Sequence, residues 1–384
     1  MTRVCSKRLT IGIDGRELLH NCVTGVGRYL SNFLASQTVK SAPHRFLVYG
    51  NQYTRYRPES ENLSLKILHE GPTILWDQNI LRKCCRSDRL DVFFSPYDKA
   101  PFWAGCPTVM SFHDLIFLSM PERDGWQERL YRTYYLGTRQ LMRRRARFVL
   151  TGSEHARREI QQTLKIPPFR IRVVYHGVGA AYRPSPDARR DDKTLREYGI
   201  STPYVLYVGN FKPHKNVATL LRACTHLPRA LQKKITLVLA GTLDGHSLKL
   251  QEDIQQLGLT QTVCLTDTVA EGDLPALYRQ AECLVHPSLY EGFGLTPLES
   301  MACGTPVIVS RTTSLPEVVG NAGILVNPNS SAEMGNAIEN LLTDEKIRMA
   351  YARLGLKRAK RFSIEPFARR VLSALEEAAR GPEA

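Results

Sequence analysis

The stretch Ser288–Pro306, SLYEGFGLTPLESMACGTP, sets two acids, Glu291 and Glu299, around a glycine-broken loop that runs into a helix start. Gly292 and Gly294 permit backbone conformations closed to other residues and let a ligand approach the main chain. Thr296 reads as an N-cap, Pro297 as the first helical residue and Glu299 as the third helical position of a capping box. The uncovered N–H groups and the positive dipole end of such a helix form an anion site. A phosphate seated there, with two carboxylates to hold hydroxyl groups around it, suits a phosphorylated sugar. A purely structural alternative stands beside this: Glu299 closes the capping box, Glu291 is a solvated loop acid, and the glycines serve the turn.

Outward from this stretch, short apolar runs alternate with helical stretches, which argues for parallel α/β sheets. Strands are expected at Leu9–Ile13, Phe46–Tyr49, Val92–Phe94, Thr108–Phe112, Phe148–Thr151 and Arg172–Tyr175. A second set follows at Tyr204–Val208, Ile235–Ala240, Val263–Leu265, Cys283–His286, Val307–Val309 and Ile324–Val326. Between the sets lies Tyr182–Lys193, YRPSPDARRDDK, polar with two prolines, which reads as an interdomain linker. A chain of 384 residues suits two domains. The expected division is an N-terminal domain over 1–185, a C-terminal domain over 186–364 and a terminal helix over 365–384. Ligands are expected in a cleft at the carboxyl ends of the strands.

The composition, 43% hydrophobic and 23% charged, is that of a folded protein, and no apolar run approaches the roughly 20 residues needed to span a bilayer. The N-terminus lacks the long apolar region of a signal peptide. Nine cysteines without C-x-x-C spacing read as reduced thiols, which places the protein in the cytoplasm. A net charge of +15 implies an anionic partner: nucleic acid, a membrane surface or a phosphorylated substrate. No recognisable binding module supports nucleic acid.

The order Glu291, Gly-Phe-Gly, then Glu299 eight positions later resembles the signature of the retaining glycosyltransferase family 4. The resemblance implies the GT-B architecture, two Rossmann-like domains whose parallel sheets face each other across a deep cleft, and a nucleotide-activated sugar as donor. The tail FSIEPFARRVLSALEEAAR resembles the terminal helices that pack back onto the N-terminal domain in this family. In GNFKPHKN, Gly209–Asn216, Lys215 matches the family's cation facing the diphosphate, and Asn210 stands where the family often has Arg. Val269 and Leu274 match the apolar positions of the base-binding loop, and Asp267 replaces its usual glycine. By resemblance, the main chain near Val269 reads the nucleobase, Glu299 holds the ribose hydroxyls, and Glu291 holds the sugar. The amides of Phe293, Gly294, Leu295 and Thr296 cover sugar and phosphate.

In the first half, TGVGRY, Thr24–Tyr29, is similar to the family's glycine loop, with the amides of Gly25 and Gly27 expected near the donor phosphate. His113 of FHDL resembles the active-site histidine, with Asp114 expected to orient it; His176 and His286 read as ordinary buried histidines. The catalytic set is therefore His113, Lys215 and Glu291. The chemistry implied is glycosyl transfer with retained anomeric configuration, without a separate cofactor. No D-x-D tripeptide is present to hold a metal–diphosphate complex, so no metal site is expected.

The FHDL and GVGRY versions look most like mannosyl- and related hexosyltransferases, which favours a GDP-sugar over a UDP-sugar. The expected acceptor is a saccharide or polyprenyl-diphosphate-linked chain of cell-surface polysaccharide or lipopolysaccharide. Seven arginines crowd Arg129–Arg147 beside Leu130, Tyr134 and Leu141 on one helical face. That stripe is either a solvated surface helix or a contact with an anionic membrane surface. Two rivals remain: a nucleotide-sugar epimerase or phosphorylase of the same architecture, and a basic nucleic-acid-binding protein.

Overall fold

A computed structural model describes residues 7–19, 24–69, 71–116, 133, 137, 141, 145–185, 188–243 and 245–381. The chain forms two compact units, Met1–Gly177 with Ile364–Ala384, and Val178–Ser363.

The first unit is built on a parallel sheet of seven strands: β1 (Thr10–Asp14), β2 (Arg45–Gly50), β3 (Leu63–Ile67), β4 (Val92–Ser95), β5 (Thr108–Ser111), β6 (Ala146–Thr151) and β7 (Ile171–Val173). Their order is β3-β2-β1-β4-β5-β6-β7. Every residue of β4 and β5 is buried, as the continuous apolar runs of a sheet covered on both faces require. One face packs Ile11, Ile13, Phe33 and Phe94 against the helix Ile364–Arg380, whose Phe367, Val371 and Leu375 complete that core. The other packs Tyr49, Trp76, Phe93, Met110 and Ile160. β3 was not expected. It is an edge strand whose Leu63, Leu65 and Ile67 alternate with polar residues, so it lacks the run that marks the central strands.

The second unit carries six parallel strands in the order β10-β9-β8-β11-β12-β13. They are β8 (Tyr204–Val208), β9 (Thr236–Ala240), β10 (Val263–Asp267), β11 (Cys283–His286), β12 (Val307–Ser310) and β13 (Ile324–Val326). Tyr207, Leu220, Val285, Ile308 and Ile338 lie in one of its cores.

The division between the units falls at Gly177–Val178 and Ser363–Ile364, not after residue 185. The expected linker is built into the second unit. Tyr182 packs on Tyr278 with ring centroids 5.9 Å apart, and Ala188–Glu197 is a helix. Asp191 of that helix accepts two hydrogen bonds from Arg279, at 2.6 and 2.5 Å. An ion pair does there what apolar residues usually do, which is why the segment reads as solvent-exposed linker.

In both sheets the strand order reverses once, between β1 and β4 and between β8 and β11. Loops leaving the carboxyl ends of strands on either side of such a reversal diverge and leave a crevice for ligands.

Candidate functional site

At the reversal in the second unit, the loop after β8 brings Lys215 against Glu291 in the loop after β11. Lys215 Nζ donates to Glu291 Oε1 at 2.7 Å, with only 16% and 15% of the two side chains exposed. His286 Nε2 lies 2.7 Å from the same oxygen, and Ser288 Oγ donates to it at 2.8 Å. No donor among the described residues reaches Oε2. Burial pushes the Glu291 carboxyl up, but Lys215 and then His286 outweigh it and hold the group well below the usual carboxylate range. It is an anion at any physiological pH, able to accept hydrogen bonds and unable to act as a general acid. Burial, and next the Lys215 charge, bring His214 down to about 4, so that ring is neutral.

The loops themselves are held from outside. Asn216 donates from Nδ2 to the carbonyls of Pro287 and Pro328 at 3.0 and 2.8 Å. Ser314 Oγ donates to the carbonyls of Glu291 and Phe293 at 2.9 and 2.8 Å.

The helix after this loop is Leu295–Cys303, and its N-cap is Gly294, not Thr296. Gly294 sits at φ 111°, where a Cβ would come within 2.9 Å of Leu315. The capping box therefore does not form. With no side chain capping the helix, the first-turn amides of Leu295 and Thr296 remain available to an anion. Phe293 is buried against Phe362, ring centroids 5.9 Å apart. Glu299 is buried at 2% exposure, and Tyr278 donates its hydroxyl hydrogen to Oε2 at 3.0 Å.

Of the remaining expected contacts, Asn210 accepts at its carbonyl from Tyr207 Oη at 2.5 Å, and Val269 and Leu274 are half-buried and buried. Asp267 adopts the left-handed backbone at φ 57°, so it fills the family's glycine position in a conformation that Asp tolerates better than most residues.

At the reversal in the first unit, Arg16 is clamped between two buried carboxylates. Its Nη2 donates to Asp14 Oδ2 and to Asp77 Oδ1, both at 2.8 Å. Burial, aided by Asp14 and opposed by Arg16, pushes the Asp77 carboxyl up to about 6. The adjacent Glu17 accepts from Thr24 Oγ1 at 2.7 Å, and Thr24 Oγ1 in turn accepts from the Gly27 amide at 2.9 Å. The Gly27 amide is thus engaged within the protein and is not free for a phosphate, contrary to expectation. Around Gly25 the space is open.

His113 Nε2 lies 2.9 Å from the Pro96 carbonyl, which can only accept, so the proton sits on Nε2 and Nδ1 is an acceptor. Burial depresses its pKa. Asp114 was expected to orient this ring; instead its Oδ1 accepts from the Ile116 amide at 3.2 Å, and the Pro96 carbonyl orients the histidine. His176 packs on His113 with centroids 5.3 Å apart. The arginine stripe lies outside the described residues except for Arg145 and Arg147; Arg145 stacks over Trp103 at 5.6 Å.

Residues 192–358 match the family model of group 1 glycosyl transferases, and residues 23–182 match that of glycosyltransferase family 4. The chain is a family 4 glycosyltransferase. Its two Rossmann-like units are those of the GT-B fold. The O-antigen chain mannosyltransferase B of Escherichia coli is 29% identical over 360 residues, covering 89% of this chain and 93% of that one. Among solved structures, sucrose-phosphate synthase from Thermosynechococcus elongatus superposes with a TM-score of 0.79 at 20% identity, covering 98% of this chain and all of that one. HepE of Anabaena, solved with UDP-glucose, gives 0.77 at 21% identity, covering 96% of this chain and all of its own.

Sequence reasoning missed two polar groups at the strand reversals of this glycosyltransferase. His286 was set aside as an ordinary core histidine, and its position at the carboxyl end of β11, five residues before Glu291, was the available signal. Asp14 ends β1 and Arg16 follows it in the sequence IDGR, a charged pair at a strand's carboxyl end. Asp77 gave no local signal, because only the fold brings it to Arg16.

Proposed function

We propose that this glycosyltransferase moves a hexose, mannose from GDP-mannose in the most specific form of the reading, onto a saccharide or lipid-linked acceptor of cell-surface polysaccharide, with retention of configuration. The observation that carries it is the Lys215–Glu291 pair at the strand reversal, with one carboxylate oxygen committed and the other open. Such a carboxylate suits the hydroxyl groups of a sugar, and the neighbouring ammonium suits its phosphate. The mannosyl assignment draws on the O-antigen relative, which resembles this chain over nearly its whole length.

In this reading the nucleoside diphosphate leaves with its negative charge met by Lys215 and by the Leu295 and Thr296 amides, which stabilise it as an oxyanion hole does. Glu299 holds the ribose, Glu291 the transferred sugar, and His113 accepts from a sugar hydroxyl at Nδ1. The protein's own cations and dipoles supply the charge stabilisation, so catalysis proceeds without a divalent metal and without a further cofactor. The enzyme works on the cytoplasmic face of the membrane.

Purified protein incubated with GDP-mannose, UDP-glucose and related donors, in EDTA and in Mg²⁺, tests these points together. The expected result is GDP-mannose turnover undiminished by EDTA, with an α-linked product. Turnover of UDP-hexoses alone would refute the donor, metal-restored activity the metal-free chemistry, and a β-linked product the retention.

A further inference from the structure

His286 is almost wholly buried, with 3% of its side chain exposed. A histidine kept in a core for structural reasons ties its ring nitrogens to the surrounding framework. This ring does not. Its Nδ1 is buried with no hydrogen-bond partner, and the polar atoms near Nε2 are Glu291 Oε1 at 2.7 Å and Ser288 Oγ at 3.2 Å. Oε1 can only accept, so the proton is on Nε2 and the bond runs from the ring to the carboxylate. A buried nitrogen left unpaired is unfavourable for the fold, and an apolar ring would avoid it. What the imidazole provides instead is direction. Lys215 reaches Glu291 as a mobile point charge on a four-carbon stem, whereas the packed ring approaches Oε1 along one fixed line. With Ser288 it pins that oxygen and leaves Oε2 without a donor among the described residues.

We infer that His286 is a positioning residue: it fixes the rotation of the Glu291 carboxylate so that Oε2 meets a hydroxyl of the donor's sugar. This rests on the proposal that Glu291 binds that sugar. A neutral ring suffices, so the role does not require a histidine cation. Glutamine carries an amide N–H about as far from the backbone as Nε2, and asparagine does not, which separates directed donation from polarity and bulk.

The test is steady-state kinetics with the productive nucleotide sugar for the wild type, His286→Gln, His286→Asn, Glu291→Gln and the double variant His286→Asn/Glu291→Gln. Affinity for the free nucleoside diphosphate is measured on each. His286→Asn should lower kcat/KM by about tenfold to a hundredfold, the range expected for a misplaced binding group, and leave nucleoside diphosphate affinity within about twofold. His286→Gln should recover most of the loss, and the double variant should be no worse than Glu291→Gln. Equal losses in the Gln and Asn variants, or a parallel loss of nucleoside diphosphate affinity, would reduce His286 to a packing residue. Full activity in His286→Asn with Glu291→Gln impaired would overturn this inference alone. Full activity in Glu291→Gln would overturn the assignment of Glu291 to the sugar, and this inference with it.

Discussion

Two residues show how burial and neighbouring charge set the chemistry of the site. His214 sits beside Lys215 and titrates near 4, below the ordinary histidine value of about 6.5. The unfolded chain therefore takes up a proton between these values that the folded chain refuses, and stability falls as pH drops from about 6.5 to about 4. NMR titration should place the His214 ring near 4 and His214→Gln should flatten that part of the stability profile; a midpoint near 6.5 contradicts both. Glu299 has a single carboxyl group and two tasks, holding the Tyr278 hydroxyl and, in the proposed reaction, the ribose. Glu299→Gln should weaken nucleoside diphosphate binding by roughly tenfold to a hundredfold, since hydrogen bonds to charged groups contribute about 1.5–3 kcal/mol. Tyr278→Phe, which removes one internal hydrogen bond to Glu299, should lose less than Glu299→Gln in the same calorimetric titration. Equal losses would make Glu299 a structural acid.

Elements fared better in the sequence than their ends did. All twelve expected strands exist, most of them because strands buried on both faces leave unbroken apolar runs; half-exposed β3 was the one passed over. The glycine loop and its helix were legible, but the cap was not. Thr296 has the chemistry of an N-cap, yet the left-handed Gly294 turns the chain two residues earlier, and two glycines in one loop do not say which of them makes the turn. Glu291 and Lys215 were legible from their places after strands. Their partner His286 was passed over, since a core histidine and one beside a site are spelled alike and only its place at the end of β11 set it apart. Gly294→Ala should therefore be costly at the level of the element, through both its positive φ and the 2.9 Å approach to Leu315. A loss of about 1–3 kcal/mol is expected, read as a lower thermal midpoint with donor binding lost in parallel; an unshifted midpoint would mean the loop relaxes freely.

At the scale of the whole molecule, the charge of +15 favours association with anionic surfaces. Among the described residues no helix is long and apolar enough to cross a membrane. Trp103, half exposed, lies under Arg145, and an aromatic ring beside a cation is suited to the headgroup layer of an anionic bilayer. In vesicle co-sedimentation, Trp103→Ser with Arg145→Gln should reduce binding to phosphatidylglycerol vesicles several-fold at low salt while donor turnover in solution persists. Wild-type protein that ignores such vesicles would make the arginine-rich segment a solvated surface.

The chain enters and leaves the second unit side by side: Val178 bridges Ser363, and the Val178 amide donates to the Phe362 carbonyl at 2.8 Å. That makes the second unit an insert in the first, and it gives synthesis on the ribosome a fixed order. Residues 178–363 can close their sheet before the helix that follows them is made, but the first unit must wait for Phe367, Val371 and Leu375 of that helix to cover its core. A fragment spanning 178–363 should fold by itself, and 1–177 alone should expose that core and aggregate. A nascent chain stopped short of residue 364 would hold a finished second unit and an unfinished first unit, so a transferase made only in part would betray itself to quality control by the half that began first.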